Sequence, residues 1–215
     1  MSDLYNDGKT STTAGNVEAS YDVKEAGGEK DIYFQEFREF DYGIDIQSNI
    51  ILVQDEISQG MVFDTISKVR LLRKINKDLK SVTILLNSPG GDVVETLALI
   101  DYIRTIKDKD GIDTNIVVRG SAMSAAALLL TAGTGLRAAS KHSKIMVHQL
   151  STFNMGKLED VKSNAKFAEL LEEDCNAIME ECTKKDKKFW KENQRTDYFL
   201  SAVDALELGI IDKII

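Results

Sequence analysis

The sequence predicts an α/β protein with crossover units around a mostly parallel sheet. Compact apolar runs typical of buried strands occur at 49–53, 81–86, 114–120 and 144–149. Segments with helical periodicity separate these runs, and parallel strands require connections of that length. The 215 residues are enough for one domain with a sizeable core.

The beginning of the chain differs in composition from the rest. Residues 1–30 are rich in Ser, Thr, Gly and charged residues and contain few large apolar side chains. Such a segment buries too little surface to offset the entropy that is lost on ordering. We therefore expect a disordered or mobile N-terminal tail over 1–30 and a single folded domain over 31–215.

Helices are predicted between the strands. Apolar residues recur at helical spacing over 61–75 and again over 93–106. Asp92 stands directly before the second of these helices and suits its N-cap. A third helix, over 122–132, consists of small and apolar residues. The connections between the parallel strands are therefore predicted to be helical.

A long charged segment dominates the last third of the chain. A narrow apolar stripe runs along it and predicts one helix over about 157–190. A stripe this narrow suits a helix that packs on partner subunits as well as on its own domain. Ser201 and Asp204 then form a predicted capping box, Gly209 ends the last short helix, and a final strand follows over 210–215.

Composition argues against several classes of function. A formal net charge of −8 would repel the phosphates of a nucleic acid. No apolar run reaches the roughly 18 residues that cross a membrane, and no secretory signal is visible. Two histidines, and two cysteines without Cys-x-x-Cys spacing, argue against a metal site. We therefore expect reduced cysteines, no metal and a cytoplasmic location.

The stretch NSPGG, residues 87–91, lies between a predicted strand and a predicted helix. Pro89 is the only proline of the chain, and Gly90 and Gly91 permit backbone conformations that other residues avoid. The stretch can be a simple tight turn. It can also be a cradle for an oxyanion, in which the N–H of Gly91 donates at the positive end of the helix.

The stretch RGSAMSAAA repeats this layout after the next strand and contains Ser121 and Ser124. Either serine can be a helix N-cap, and Ser124 can also be a nucleophile. Parallel strands bring both loops to one sheet edge, where a serine nucleophile needs a base. His142 lies in a polar loop and suits a solvated role, whereas His148 ends an apolar strand at that same edge.

Four stretches carry a resemblance to a known family. NSPGGDVVETLALIDYI, GSAMSAAALLLTAG, IMVHQ and DYFLSAVDALELGIID, in order between about Ile44 and Ile215, closely resemble the Clp protease proteolytic subunit (ClpP) family. The resemblance implies a ClpP/crotonase-like α/β fold and a ClpP-like peptidase domain over 31–215. It also implies a serine endopeptidase that is the peptidase component of an ATP-dependent protease.

The resemblance assigns roles residue by residue. It implies that Ser124 is the nucleophile, His148 the base and Asp197 the acid of a Ser-His-Asp triad. The oxyanion donors would be the backbone N–H groups of Gly91 and Ala125. Composition alone does not select Asp197 among the many acidic residues of the chain.

The resemblance also implies how substrates bind. A peptide would pair as an added strand between the segment near Gly91 and Val93 and the segment near Ser151. This mode recognises backbone and therefore tolerates many sequences.

An assembly and a partner are implied as well. The helix over 157–190 would be the family's protruding handle, which joins two heptameric rings into a closed tetradecameric chamber. Residues before about Gly43 would lie near the axial pore, where a hexameric AAA+ unfoldase of the ClpX or ClpA type docks. ATP would be used by that unfoldase, so no cofactor is expected for this chain.

Other functions stay open at this point. The chain could be a non-catalytic ClpP-like ring subunit, or a crotonase-type acyl-CoA enzyme with the same fold and a similar oxyanion pair. A membrane-linked Ser–Lys peptidase with Lys141 or Lys144 as base is a further alternative, as is a processing protease with one structural target.

Overall fold

The computed structural model of the protein describes residues 41–153 and 155–215. The strands are β1 (Ile44–Asp45), β2 (Ile50–Val53), β3 (Ser81–Ser88), β4 (Asp113–Met123), β5 (Arg137–Ala139), β6 (Lys144–Val147), β7 (Tyr198–Ser201) and β8 (Lys213–Ile214). The helices are α1 (Gln59–Ile75), α2 (Val93–Asp110), α3 (Ala125–Thr131), α4 (Leu158–Cys182), α5 (Lys187–Asn193) and α6 (Ala202–Leu208). The predicted tail over 1–30 lies outside the described residues.

The strands form one sheet in the order β1-β2-β3-β4-β5-β8, with β6 pairing with β4 and β7 pairing with β6. The pairs β2–β3, β3–β4, β4–β5, β4–β6 and β5–β8 are parallel, whereas β1–β2 and β6–β7 are antiparallel. The predicted α/β class with a mostly parallel sheet is therefore confirmed.

The sheet divides at β4. Residues 116–118 of this strand pair with β5, whereas residues 121–123 pair with β6. The register between β3 and β4 shifts between Leu86 and Ser88. The register shift and the change of partner both occur near the carboxyl end of β4, and such irregularities change the direction of a strand. This end of β4 leads into α3.

Helices cover the buried face of the sheet as their sequences predict. In α1 and α2 the buried residues recur at helical spacing, among them Val69, Leu72, Leu99 and Ile103. Every residue of α3 is buried, because its alanines and leucines lie inside the core. The Asp92 carboxylate accepts a hydrogen bond from the N–H of Glu95, which confirms the predicted N-cap of α2.

The predicted single helix over 157–190 is wrong beyond Cys182. Thr183 adopts an extended backbone, and its hydroxyl donates to the carbonyl of Met179 at 2.5 Å. The same hydroxyl accepts the indole N–H of the fully buried Trp190 at 2.9 Å, and Asp186 caps the separate helix α5. A threonine that bonds the preceding turn favours a helix end, so the chain turns there and buries Trp190.

The end of the chain follows the predicted pattern. Ser201 and Asp204 form a capping box at the start of α6, with both reciprocal hydrogen bonds present. Gly209 adopts the left-handed conformation at the end of that helix. In the part of the chain that the structure describes, no helix has the length and apolarity that a membrane span requires.

Arg137 joins three elements at one side of the sheet. Its guanidinium donates twice to the Asp212 carboxylate, at 3.1 Å from Nε and 2.5 Å from Nη2. Nη1 donates to the carbonyl of Cys182 at 2.7 Å and to that of Thr131 at 3.2 Å. Burial alone would raise the pKa of Asp212, but the hydrogen bonds and positive charge of Arg137 outweigh it and lower the pKa.

We expect Asp212→Asn to destabilise the fold at neutral pH, because it removes the charge that pairs with Arg137. The loss should be only about 1 kcal/mol, because solvent screens this partly exposed pair. A carboxylate whose pKa falls on folding stabilises the protein above its unfolded-state pKa, and the contribution is lost as pH drops through the folded-state pKa. The unfolding free energies of wild type and variant, measured in urea, should therefore begin to converge below about pH 4.

The control for this prediction is Asp108→Asn, which changes an exposed carboxylate on α2. It should leave the unfolding free energy nearly unchanged at neutral pH. A gap between wild type and Asp212→Asn that keeps its size into strong acid would contradict the assigned role of the ion pair.

Candidate active site

Ser124 lies at the sharp turn between β4 and α3. Its φ of 54° and ψ of −127° are unusual for a residue with a side chain, and such conformations cost about 1–3 kcal/mol. Ser124 occupies the N-cap position of α3, yet its side chain makes no capping hydrogen bond. Its backbone N–H donates to the carbonyl of Met146 at 2.8 Å, which fixes the turn against β6. The simple capping interpretation of Ser124 is therefore wrong.

His148 follows β6 directly and faces Ser124. Its Nε2 lies 2.7 Å from the Ser124 Oγ, a normal hydrogen-bond distance. The two residues meet because β6 pairs in parallel with the end of β4, so both strands deliver their next residues to one edge. His142 lies in the exposed turn before β6 and is not part of this arrangement.

Asp197 reaches His148 from the other side of the imidazole. It immediately precedes β7, and the pairing of Tyr198 with Val147 places it beside His148. Its Oδ1 lies 3.6 Å from His148 Nδ1, within ion-pair range but beyond a direct hydrogen bond. The Asp197 side chain is 56% exposed. A shift of about 0.5 Å would close this contact, and such contacts are often long in unliganded enzymes.

The backbone around Gly91 is held in place by its pairing with Ile57. The N–H of Ile57 donates to the carbonyl of Gly90 at 2.7 Å, and its carbonyl accepts the N–H of Asp92 at 2.8 Å. In such a parallel bridge the N–H of the middle residue, Gly91, points to the opposite side. Ala125 has the first N–H of α3, for which the helix itself has no acceptor.

The Gly90–Gly91 loop is packed directly against the Ser124 turn. A Cβ atom on Gly90 would lie 2.6 Å from the Met123 carbonyl oxygen and 2.7 Å from the Ser124 Cβ. The Ser88 hydroxyl accepts the N–H of Gly90 at 3.1 Å and holds the loop in place. The two predicted oxyanion donors thus come from loops in contact, and their role stays a prediction.

Two connected openings surround these residues. The Ser124 pocket, as we name it, has a volume of about 130 Å³. It is lined by Gly91, Val93, Ser124, Ala125, Leu128, His148, Gln149, Leu150, Ser151, Glu172, Cys175 and Gln194. A neighbouring groove of about 480 Å³ runs between 91–94 and 150–152 and is lined from α4 as well. The predicted substrate-binding residues Gly91, Val93 and Ser151 line both, and their role stays a prediction.

Cys175 lines the Ser124 pocket without the properties of a reactive thiol. Burial, together with the negative charges of Glu172 and Asp174, raises the pKa of Cys175 to about 12. The thiol is therefore protonated at neutral pH and is a poor nucleophile. Cys175 and Cys182 are both free, as the sequence predicted. Among the described residues, no group of His, Cys, Asp and Glu side chains is arranged to hold a metal ion.

Comparison with known proteins identifies the family. The family model described as Clp protease matches residues 38–215. The chain belongs to the Clp protease family. This membership and the mostly parallel sheet agree with the ClpP fold and support a ClpP-type peptidase.

Curated relatives in the Clp protease family cover most of the chain. ATP-dependent Clp protease proteolytic subunit 2 of Chlamydia trachomatis is 33% identical over 171 residues, which are 79% of this chain and 82% of the relative. ATP-dependent Clp protease proteolytic subunit 1 of Prochlorococcus marinus is 30% identical over 197 residues, 90% of this chain and 94% of the relative.

One residue of this Clp protease family member was not singled out from the sequence. The Asn87 Oδ1 accepts the N–H of Ser121 at 2.9 Å and lies 3.2 Å from the Ser121 hydroxyl. Asn87 bridges β3 and β4 at the point where their register shifts. Its partner, Ser121, lies three residues before Ser124. The place of Asn87 in NSPGG, just after a buried strand, is the signal that could have drawn attention to it.

Proposed function

We propose that the chain is a serine endopeptidase subunit that cleaves peptide bonds of unfolded proteins inside an oligomeric chamber. The observation that carries the proposal is the 2.7 Å contact between Ser124 Oγ and His148 Nε2 on a strained turn. A hydroxyl is a weak nucleophile unless a base is in hydrogen-bond reach, and a strained strand-to-helix turn is a common way to expose it.

The mechanism follows from the arrangement of these groups. Ser124 Oγ attacks the scissile carbonyl carbon while His148 Nε2 takes its proton. The N–H groups of Gly91 and Ala125 donate to the oxyanion of the tetrahedral intermediate. His148 then gives the proton to the leaving amine, and the acyl group stays on Ser124. Water next attacks the acyl carbon while His148 Nε2 takes a proton from it, and His148 returns that proton to Ser124 Oγ as the carboxylic acid product leaves.

Asp197 has a supporting role in this mechanism. An acceptor at His148 Nδ1 keeps the imidazole in the tautomer whose Nε2 can accept the serine proton. It also stabilises the imidazolium that forms after proton transfer. The 3.6 Å separation requires a small movement before Asp197 can accept that hydrogen bond.

Peptide binding is proposed to use the groove beside the Ser124 pocket. An extended peptide would add as a strand between the segments 91–94 and 150–152, which line that groove. Backbone hydrogen bonds of this kind give affinity with little dependence on sequence. The proposed substrates are therefore unfolded polypeptides rather than one folded target.

Assembly is proposed to involve the handle region, which we define as residues 150–182. Large apolar side chains are exposed along it: Phe153, Met155, Leu158, Phe167 and Leu170. Exposed apolar residues in this density favour contact with further copies of the chain. We propose heptameric rings that pair into a tetradecamer, with a cytoplasmic AAA+ unfoldase of the ClpX or ClpA type supplying ATP-driven unfolding. The chain itself is proposed to need no cofactor.

A fluorophosphonate probe tests the nucleophile directly. We expect it to label wild type and Ser121→Ala at one site, Ser124, and to leave Ser124→Ala unlabelled, as read by intact mass and peptide mapping. Ser121 is a matched control because it lies in β4, three residues before Ser124, and its hydroxyl contacts Asn87. Labelling that persists in Ser124→Ala would contradict the proposal that Ser124 is the nucleophile. A wild-type protein that resists labelling and cleaves no peptide would favour the non-catalytic ring subunit.

A further inference from the structure

Glu172 supplies the only formal negative charge in the lining of the Ser124 pocket. Of the described residues around this pocket, His148, Cys175 and Glu172 have ionisable side chains. His148 is engaged with Ser124, and the raised pKa of Cys175 keeps its thiol neutral. The rest of the lining is apolar or uncharged, including Val93 and Leu128.

The Glu172 carboxylate is held in place and has acceptor capacity left. Its Oε2 accepts the backbone N–H of Leu150 at 2.9 Å, which fixes the carboxylate next to the segment after His148. A carboxylate offers about four lone-pair sites, so one such bond leaves room for another donor. Glu172 is only partly exposed.

The neighbouring lysines do not neutralise this carboxylate. Lys187 and Lys191 pair instead with Glu173, at 2.5 Å and 2.8 Å, and these contacts lower the pKa of Glu173 to about 2. Within 41–153 and 155–215, no Lys or Arg side chain forms an ion pair with Glu172. A partly buried carboxylate without a cation partner is a favourable site for a cation from a ligand.

The shape of the pocket suits a long side chain with a charged end. The Ser124 pocket shares Gln149, Leu150 and Glu172 with a larger cavity of about 560 Å³. Three carboxylates and two cationic side chains border that cavity, namely Glu169, Glu172, Glu173, Lys191 and Arg195. A lysine side chain could therefore pack its methylene groups on Val93 and Leu128 and extend its ammonium group toward Glu172. Aspartate or glutamate in the same place would meet a like charge.

We propose that Glu172 is a specificity-determining residue that favours substrates with lysine on the acyl side of the scissile bond, the P1 position. This inference rests on the proposed serine endopeptidase activity. The P1 side chain is the one concerned, because the segments 91–94 and 150–152 that would hold the acyl part of the peptide also border the Ser124 pocket. Glu172 thus adds charge selection to an otherwise backbone-directed mode of binding.

Three coumarin-amide peptides that differ only at P1 test the proposal: lysine, norleucine and glutamate. Norleucine is the matched control for lysine, because it retains an aliphatic stem without the charge. For wild type we expect kcat/KM to be about tenfold higher with lysine than with norleucine, and lowest with glutamate. In Glu172→Gln the lysine-to-norleucine ratio should fall by about tenfold, while glutamine retains an acceptor for the Leu150 N–H.

The readout is a ratio, so a general change of rate in the variant cancels. Glu169→Gln is the control variant, since Glu169 lies one turn earlier on α4 and borders the larger cavity but not the Ser124 pocket. It should keep the wild-type ratio.

The outcomes separate this inference from the proposed function. Equal ratios in wild type and Glu172→Gln, with both proteins labelled at Ser124, would overturn the inference and leave the peptidase intact. Wild type that favours norleucine over lysine would overturn it whether or not the variant folds. Wild type that neither labels nor cleaves any of the three peptides would overturn the proposed function and this inference together.

Discussion

His148→Ala should lower kcat for peptide hydrolysis by about 10⁶, as far as Ser124→Ala does, because removing either member disables the unit of nucleophile and base. Ser124 Oγ has its hydrogen-bond partner in His148 Nε2 at 2.7 Å, so the serine loses its proton acceptor when the imidazole is removed. Single-turnover and steady-state hydrolysis of one fluorogenic peptide would measure both variants. The residual rate should come from substrate binding and the oxyanion donors.

The double variant Ser124→Ala/His148→Ala should be little slower than either single variant. When two residues act as one catalytic unit, removing either one already abolishes the rate enhancement of the unit, so the effects of the two substitutions do not add. His142→Ala is the matched control, because it removes the other histidine from an exposed turn and should keep nearly full activity. Full additivity of the two single effects would contradict a shared catalytic role for Ser124 and His148.

Gly91→Ala is expected to reduce kcat by at least about 100-fold, because it displaces a proposed oxyanion donor. Gly91 has a φ of +148°, and a Cβ atom there would lie 2.8 Å from the Ile57 backbone N, closer than van der Waals contact allows, and would overlap the Ile57 carbonyl oxygen. The Ile57 backbone cannot yield without breaking its hydrogen bonds to Gly90 and Asp92. Hydrolysis kinetics and the thermal unfolding midpoint would measure the two consequences separately.

Gly111→Ala is a control that tests the effect of backbone strain without a steric clash. Gly111 also has a positive φ, of +68°, but a Cβ atom there would have no atom within 4 Å. This control should lose about 1 kcal/mol of stability and retain its activity. Gly91→Ala with wild-type kcat would contradict the expected displacement of an oxyanion donor at this position.

Most of the scaffold was accessible from the sequence. Apolar runs mark β2, β3, β4 and β6 because these strands are buried, and buried strands need no polar alternation. The caps at Asp92 and Ser201 were predicted because their side chains act on backbone groups only a few residues away. Convergence of the Gly-Gly loop, Ser124 and His148 followed from strand order in a parallel sheet.

What escaped sequence reasoning depends on contacts between distant segments. The short strands β5 and β7 have no distinctive pattern of their own, since Arg137–Ala139 and Tyr198–Ser201 become strands through pairing with β4 and β6. For the same reason Asp197 was selected only through the family resemblance. The helix end at Cys182 depends on the tertiary contact between Thr183 and Trp190.

The division of the sheet at β4 has a consequence for biosynthesis. Both branches are closed by strands from the end of the chain, β7 on the side of β6 and β8 on the side of β5. A growing polypeptide on the ribosome therefore already contains its serine and histidine while the carboxylate and both closing strands are still to be translated. Neither branch of the sheet can therefore be completed until residues 198–201 and 213–214 have been synthesised.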